Sequence, residues 1–296
     1  MFRLALSLTV LAAALGLVAF GAAAQSSAQP TAESVARGGY VLRAAGCLSC
    51  HTDSRNKGQP LAGGRALPTP FGTFYPPNIT PDRDTGIGGW TVEDLSRALR
   101  EGRAPDGRHY YPAFPYTSYT GMVDQDIADL WAYLMAQPPV TGANKPHELP
   151  LPFRFRMLLG VWKALFFKPG RFTGDLAKDA TWNRGAYLVE ALGHCGECHT
   201  PRGALGAMDS DRQLAGTAKG PQGKKVPNIT PHAKEGIGDW RESDTAYFLK
   251  TGFFPDGDVA GGAMAEVIDD GTSHLNDADR AAIAAYLRNL PPLPGP

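Results

Sequence analysis

An excess of charge of either sign is missing from this chain. Lysine plus arginine and aspartate plus glutamate each number 29, with no dense basic run, so a nucleic-acid backbone finds nothing to bind and nucleic acid is excluded as a partner. Beyond the N-terminus no apolar run approaches the length that spans a bilayer. Strand-like alternation is absent, which points to an all-α fold class. Catalytic punctuation is equally thin. There is no Ser-His-Asp ordering and no phosphate loop, and the glycines of Gly86-Ile87-Gly88-Gly89 do not follow a strand as a nucleotide fingerprint requires. Cysteine is scarce, at 4 in 296 residues, whereas Gly 35 and Pro 25 are plentiful and predict a loop-rich fold.

The N-terminus carries Arg3, the apolar stretch Leu4 to Phe20 and the small residues Gly21 to Ala24. This reads as a Sec-type signal peptide over 1–24, with an uncleaved anchor as the alternative. The remainder is then exported to the periplasm, free in it or associated with the cytoplasmic membrane.

All four cysteines fall in two pentapeptides, Cys47-Leu48-Ser49-Cys50-His51 and Cys195-Gly196-Glu197-Cys198-His199. A structural zinc site would need both pairs close in space. A redox dithiol would need a βα context, and two disulfides would not need a histidine after each second cysteine. Cys-x-x-Cys-His is how haem c is attached, each thiol adding to a vinyl group and the histidine becoming the proximal iron ligand. Two covalently bound haem c groups are expected, with His51 and His199 on the irons.

The chain repeats at a period of roughly 150 residues, the scale of a domain. Arg37-Gly38-Gly39-Tyr40 answers Arg184-Gly185-Ala186-Tyr187, Pro77-Asn78-Ile79-Thr80-Pro81 answers Pro227-Asn228-Ile229-Thr230-Pro231, and Gly86 to Trp90 answers Gly236 to Trp240. Each copy predicts three helices: one before the haem motif, one after Thr91 or from Arg241, and a closing helix after Asp124 or Asn276. The expected organisation is a haem domain over 31–140, an interdomain segment over 141–180 and a second haem domain over 181–293. In that segment Phe155, Leu158, Leu159, Trp162 and Phe166, interleaved with Arg154, Arg156 and Lys163, predict a short basic amphipathic helix. Packing across the seam between the domains is the plain expectation for it, and docking on a membrane surface or a partner is the alternative.

A methionine sixth ligand is expected downstream of each haem motif, in the loop before the closing helix. Met264 fills that place in the second copy, where Met208 lies too near the attachment site. In the first copy the corresponding position is Phe114, so Met122 is the expected ligand, with His109 as the fallback and an open iron as the remaining alternative. Met135 lies on the closing helix itself. Asn78 and Asn228 are candidates to donate hydrogen bonds near the haem edges, Trp90 and Trp240 to cover the macrocycles and reach propionates, and Arg202, with Arg55 in the first copy, to pair with a propionate. Turn-making is the competing role for the asparagines.

Taken together, Trp182 to Val189, His194 to Arg202, both Pro-Asn-Ile-Thr blocks, Tyr111 to Tyr116 and Met264 to Val267 resemble the cytochrome c subunits of periplasmic membrane-bound dehydrogenases of the alcohol, gluconate and sorbitol type. The resemblance covers nearly all of the chain after the leader. It implies tandem class I cytochrome c domains and electron transfer from a dehydrogenase subunit to quinone, another cytochrome or a terminal oxidase. The best-known members have three haem domains and this chain has two. A haem enzyme of peroxidase or thiosulfate-oxidising type, with an open or unusual ligand at the first iron, is the alternative. The absence of a fifth cysteine weakens the thiosulfate version.

Overall fold

The computed structural model describes residues 30–220 and 223–296, so the expected leader over 1–24 lies outside the described residues. The first half comprises α1 (Ala32–Ala44), α2 (Cys47–His51), a hairpin of β1 (Leu67–Thr69) and β2 (Gly72–Phe74), α3 (Val92–Glu101), α4 (Tyr116–Tyr119) and α5 (Asp124–Met135). A connecting helix, α6 (Leu158–Phe166), follows. The second half contains α7 (Ala180–Ala186), α8 (Gly196–His199), α9 (Glu242–Thr251), α10 (Gly262–Asp270) and α11 (Asp277–Arg288). A π-helical stretch, Tyr187–Leu192, continues α7.

Local chemistry sets the helix limits. Thr91 and Asp94 form a reciprocal capping box on α3, and Gly102, at φ 59°, ends it in the left-handed conformation that a Cβ disfavours. Asn276 caps α11 by accepting the Asp279 N–H at 2.8 Å. The closing helix of the first half starts one residue earlier than its sequence implies. Val123 is its N-cap, so Asp124 takes the first helical position, near the positive end of the helix dipole, and pairs with Arg100 and Arg171 at 2.6 and 2.9 Å.

The hairpin corrects the expectation of a fold without strands. Its three-residue strands, carrying Pro68 and Gly72, are too short to show alternation. It exists because Thr73 pairs through its backbone with Glu148 of the connecting segment, N to O at 2.9 Å in both directions.

Each first helix crosses its closing helix where a glycine admits the partner backbone. A Cβ on Gly38 would sit 1.8 Å from the Asp129 carbonyl oxygen, and one on Gly185 would sit 2.0 Å from that of Ala282. The arginine before each glycine fastens the same crossing, Arg37 to Asp129 and Arg184 to Asp279. The tyrosine two residues beyond each glycine reaches into the other half. Tyr40 donates its hydroxyl to Asp279 at 2.6 Å, and Tyr187 donates to Asp126 at 2.6 Å. Each hydroxyl oxygen also accepts a backbone N–H at the head of that closing helix, from Asn276 and Val123 respectively. One apolar core runs through both halves, including Val41, Leu42 and Leu130 of the first and Leu188, Leu192 and Leu287 of the second.

Tyr187→Phe should therefore destabilise the protein by about 1–3 kcal/mol in chemical denaturation, the cost of losing a hydrogen bond to a carboxylate at a buried seam. Burial works to raise the pKa of Asp279, but hydrogen bonds from Arg184 and Tyr40 outweigh it and hold the pKa below the ordinary value. A depressed carboxylate contributes stability that is present above its unfolded pKa and lost as pH falls through the folded one. Tyr40→Phe should accordingly shrink the loss of stability seen on acidification below about pH 4, measured as unfolding midpoint against pH.

Candidate functional site: two paired histidine and dithiol turns

Both Cys-x-x-Cys-His motifs form single helical turns, α2 and α8, so the two thiols and the histidine project from one short element. No disulfide joins any of the four cysteines. Burial pushes Cys47 and Cys195 up to about 12, with the other cysteine of each pair adding to it. Cys198 rises to about 11, through burial first, then Glu197, with Cys50 of the other half also contributing.

The imidazoles are oriented through their inner nitrogens. His51 Nδ1 lies 2.7 Å from the Pro77 carbonyl oxygen, and His199 Nδ1 lies 2.8 Å from that of Pro227. A carbonyl only accepts, so Nδ1 carries the proton and Nε2 is left as a lone-pair donor suited to iron. Burial lowers the pKa of both rings, which favours that neutral form. Unbridged cysteine pairs beside an imidazole with its Nε2 presented fit covalent haem attachment and proximal ligation.

The backbone of each histidine is also tied to a glycine that lies against the proline loop. Gly63 N–H donates to the His51 carbonyl at 2.7 Å, and Gly216 N–H donates to that of His199 at 2.7 Å. Both glycines have φ in the left-handed region, 76° and 79°. A Cβ on Gly63 would meet the Pro77 carbonyl carbon at 2.4 Å, and one on Gly216 would meet the Asn228 nitrogen at 2.6 Å. These two glycines went unrecognised in the sequence, although each closes a Leu-Ala-Gly tripeptide, 61–63 and 214–216.

Asn78 and Asn228 make equivalent bonds within the protein. Asn78 Nδ2 donates to the Val140 carbonyl at 2.6 Å, and Asn228 Nδ2 donates to that of Leu293 at 2.7 Å. Their Oδ1 atoms accept the N–H of Thr80 and Thr230. Each asparagine thus ties the proline loop to the chain leaving the closing helix.

Arg202 is likewise engaged within the protein. It donates to the carbonyl oxygens of Gly206 and Glu197, at 2.7 and 2.9 Å, and pairs with the Glu197 carboxylate. Its counterpart is Arg65, a residue the sequence did not single out. Arg65 is buried, donates to the Ser49 carbonyl and pairs with Glu266 of the second half, which Arg55 also approaches at 3.7 Å. Ser49 and Glu197 both precede the second cysteine of their motif, so the two arginines clamp equivalent positions from different places in the chain. Trp90 and Trp240 pack on the core, Trp240 lying 5.5 and 5.9 Å from Phe248 and Phe254.

Met122 is wholly buried, with its carbonyl held by Arg100. Met264 is half-buried and stands on α10, so the segment expected as a loop is a helix. Met208 Sδ would be 3.8 Å from a Cβ on Gly196, beside the attachment turn. His109 faces Gly160 of α6, its Nδ1 buried without a partner and its carbonyl held by Arg156 at 2.7 Å.

The two sites meet across the seam. Gly46 and His194, each preceding the first cysteine of its motif, both take left-handed conformations, at φ 62° and 43°, and face each other. The His194 ring packs edge-on against Tyr119 at 5.3 Å, and Tyr119 donates its hydroxyl to the Ala45 carbonyl at 2.5 Å. Glu197 accepts from Thr117 and Ser118 of α4, while Glu266 of α10 reaches Arg65. In each half the segment just before the closing helix, α4 or α10, thus lies against the other half's Cys-x-x-Cys-His turn or the arginine that clamps it.

The Cytochrome c family model matches residues 35–138 and 183–291. A diheme cytochrome c-type protein of Cereibacter sphaeroides is 52% identical over 260 residues, covering 86% of this chain and 85% of that protein. The fructose dehydrogenase cytochrome subunit of Gluconobacter japonicus is 44% identical over 260 residues, 87% of this chain, which spans 53% of that subunit. The gluconate 2-dehydrogenase cytochrome c subunit of Pantoea cypripedii is 40% identical over 290 residues, 95% of this chain and 65% of that subunit.

The crossing of each glycine behind its histidine gives a quantitative test. Gly63→Ala and Gly216→Ala should each cost roughly 3 kcal/mol, combining an unfavourable φ with a clash. Gly107 has a similar φ, 83°, with nothing within 4 Å of an added Cβ. Gly107→Ala should cost only about 1 kcal/mol, and denaturant midpoints of the three holoproteins measure the difference.

Proposed function

The chain belongs to the cytochrome c family, and from that premise we propose that it is an electron-transfer subunit serving a periplasmic dehydrogenase and passing electrons on to quinone, another cytochrome or a terminal oxidase. Its cofactors are two covalently bound haem c groups. The observation that carries the functional reading is the pairing of two complete attachment turns, each with its histidine Nδ1 held by a proline carbonyl, across one seam. The relatives named as cytochrome subunits of fructose and gluconate dehydrogenases support a dehydrogenase as electron donor.

Haem iron supplies reversible one-electron chemistry, and the protein's part is to hold its surroundings still. His51 and His199 are the proposed proximal ligands, Met122 and Met264 the distal ones. The full burial of Met122 within a packed core supports it as a fixed ligand over an open site. Arg65 and Arg202 lock the turns that carry the thiols, and the exchanged tyrosine bonds lock one half on the other. The proposed units are haem domains over 31–140 and 181–293 related by internal duplication, a connecting segment over 141–180, and a signal peptide over 1–24 that directs export. The reciprocal tyrosine, glycine and asparagine contacts support the duplication. Among the described residues no helix is long and apolar enough to cross a membrane.

The mass of the exported chain should correspond to two haem adducts, and adding the substrate of a co-purifying dehydrogenase subunit should reduce both. A single adduct, or haems that no dehydrogenase substrate reduces, would falsify this reading. Met264→Ala should retain both adducts and make one reduced haem bind carbon monoxide, and Met122→Ala should do so for the other. Indifference to carbon monoxide would reject that ligand assignment.

A further inference from the structure

We propose that the turn over 253–259, with the end of α9 that leads into it, is the docking surface for a basic redox protein that lays an apolar, lysine-bearing segment across it. This deepens the electron-carrier reading and rests on it for the partner's redox character. The two halves treat the same surface differently. After α3 the chain folds back so that Arg103 pairs with His109, and after α9 Phe253 pairs with Val259 in the same way. In the first half α6 covers this surface. Lys163 donates to the carbonyl oxygens of Glu101 and Gly102 at 2.5 and 2.7 Å, Arg156 donates to that of His109 at 2.7 Å, and Gly160 faces the His109 ring.

The second half leaves the equivalent surface open. Thr251, Gly252 and Val259 stand where Glu101, Gly102 and His109 stand in the first, and among the described residues the carbonyl oxygens of Thr251 and Val259 receive no hydrogen bond. The side chains around them are apolar and outward: Tyr247, Phe253 and Val259 are 55%, 45% and 56% exposed. Phe253 and Val259 lie side by side as a cross-strand pair. Tyr247 is one helical turn before Thr251, whose hydroxyl donates to the Tyr247 carbonyl and accepts the Phe253 N–H, so the three side chains form one patch. Phe254 packs inward on Phe248 and Trp240, at 4.8 and 5.9 Å, which turns its neighbour Phe253 out. Scattered exposed apolar residues are ordinary; a contiguous group is a binding surface.

Charge identifies the occupant. In the first half Asp106 is paired with Arg108, and Arg103 and His109 flank it. The second half keeps the aspartate as Asp256 but has Phe253, Asp258 and Val259 in place of Arg103, Arg108 and His109, so a basic turn becomes apolar and acidic. Asp256 and Asp258 make no ion pair among the described residues, accepting only the backbone N–H groups of Asp258 and Val259. No lysine or arginine lies within 251–279. The open carbonyls at the end of α9 add the negative pole of the helix. An apolar patch beside unneutralised carboxylates and free carbonyls complements an apolar segment that carries lysine, which is the chemistry of α6 on the first half. The same carboxylates repel an anionic lipid surface. The turn runs directly into α10 and Met264, the proposed ligand of the second iron, so a partner seated here is beside the haem with which it exchanges electrons.

The test is stopped-flow oxidation of the dithionite-reduced holoprotein by a lysine-rich monohaem cytochrome c. Wild type is compared with the triple variant Phe253→Ser, Asp256→Asn, Asp258→Asn, and with a control that removes the same charge from the first half, Asp84→Asn with Glu93→Gln. All these positions are exposed, so both variants should keep the haem spectrum and unfolding midpoint of wild type. The wild-type rate should fall steeply as salt is raised, and the triple variant should be roughly tenfold slower at low salt with a flatter salt dependence. The control should stay within about twofold of wild type. Ferricyanide, a small anion that needs no docking, should oxidise the triple variant no more slowly than wild type. Equal rates for wild type and the triple variant, or equal slowing by the control, would overturn the proposal. So would a wild-type dimer in sedimentation that the triple variant abolishes, which would assign the surface to a second copy of this chain. Wild-type haems that dithionite does not reduce would defeat the electron-carrier reading and this proposal with it, whereas normal reduction followed by any of the other adverse results defeats the docking surface alone.

Discussion

A carbonyl oxygen 2.7 Å from His51 Nδ1, matched by one 2.8 Å from His199 Nδ1, is the constraint around which each half is built. It decides which nitrogen of the ring keeps its proton and therefore which one is offered to a metal. Two backbone segments must come almost into contact to place it, and glycine at 63 and 216 permits that. The carbonyl must also stay put. Asn78 and Asn228 anchor the proline loops to Val140 and Leu293, chain that has already traversed the closing helix. Metal orientation and the exit of the last helix are thus one mechanical unit, and a disturbance at either end reaches the imidazole.

The two units are joined by exchange. A hydroxyl from each half bonds a carboxylate of the other, the self-complementary pattern of a two-fold interface realised within one chain. Departures from that symmetry sit at the haem motifs themselves. Glu197 lies within its own attachment motif, whereas the glutamate beside Cys50 is Glu266, brought from the other half. His194 occupies the place of Gly46, a bulky ring in a left-handed conformation that only surrounding contacts sustain. The two haem environments therefore differ electrostatically despite a shared plan, and the first depends on residues of the second half.

What was legible in the sequence was what acts locally. The attachment motifs, the capping box at Thr91 and Asp94, the terminating glycines and the Arg-Gly-x-Tyr blocks all carry their meaning within a few residues. The asparagines were harder to interpret because their partners lie 62 and 65 residues away, so a turn-former and a distant tether look alike. Arg65 has no counterpart at the equivalent position of the second copy, where Arg202 does its work from another point in the chain, so the internal repeat gave no cue to it. The hairpin depends on Glu148, outside both copies. In each case the missing information was a tertiary partner, which periodicity does not encode.

The connecting helix shows how far such partners can override pattern. Burial lowers the pKa of Lys163 to about 8, first through desolvation and then through Arg103, so tucking this amine inside carries an electrostatic cost. Hydrophobicity alone would turn Leu158, Val161 and Leu165 inward and leave the lysine in water. Carbonyl oxygens at the end of α3 offset that cost because they have no partner further along their own helix, and the Tyr116 ring, 4.5 Å from the amine, adds a cation–π contact. The helix position is thus set by satisfying polar ends, with the apolar side chains left outside as a consequence. An outward apolar face held by inward polar bonds is stable without collapse.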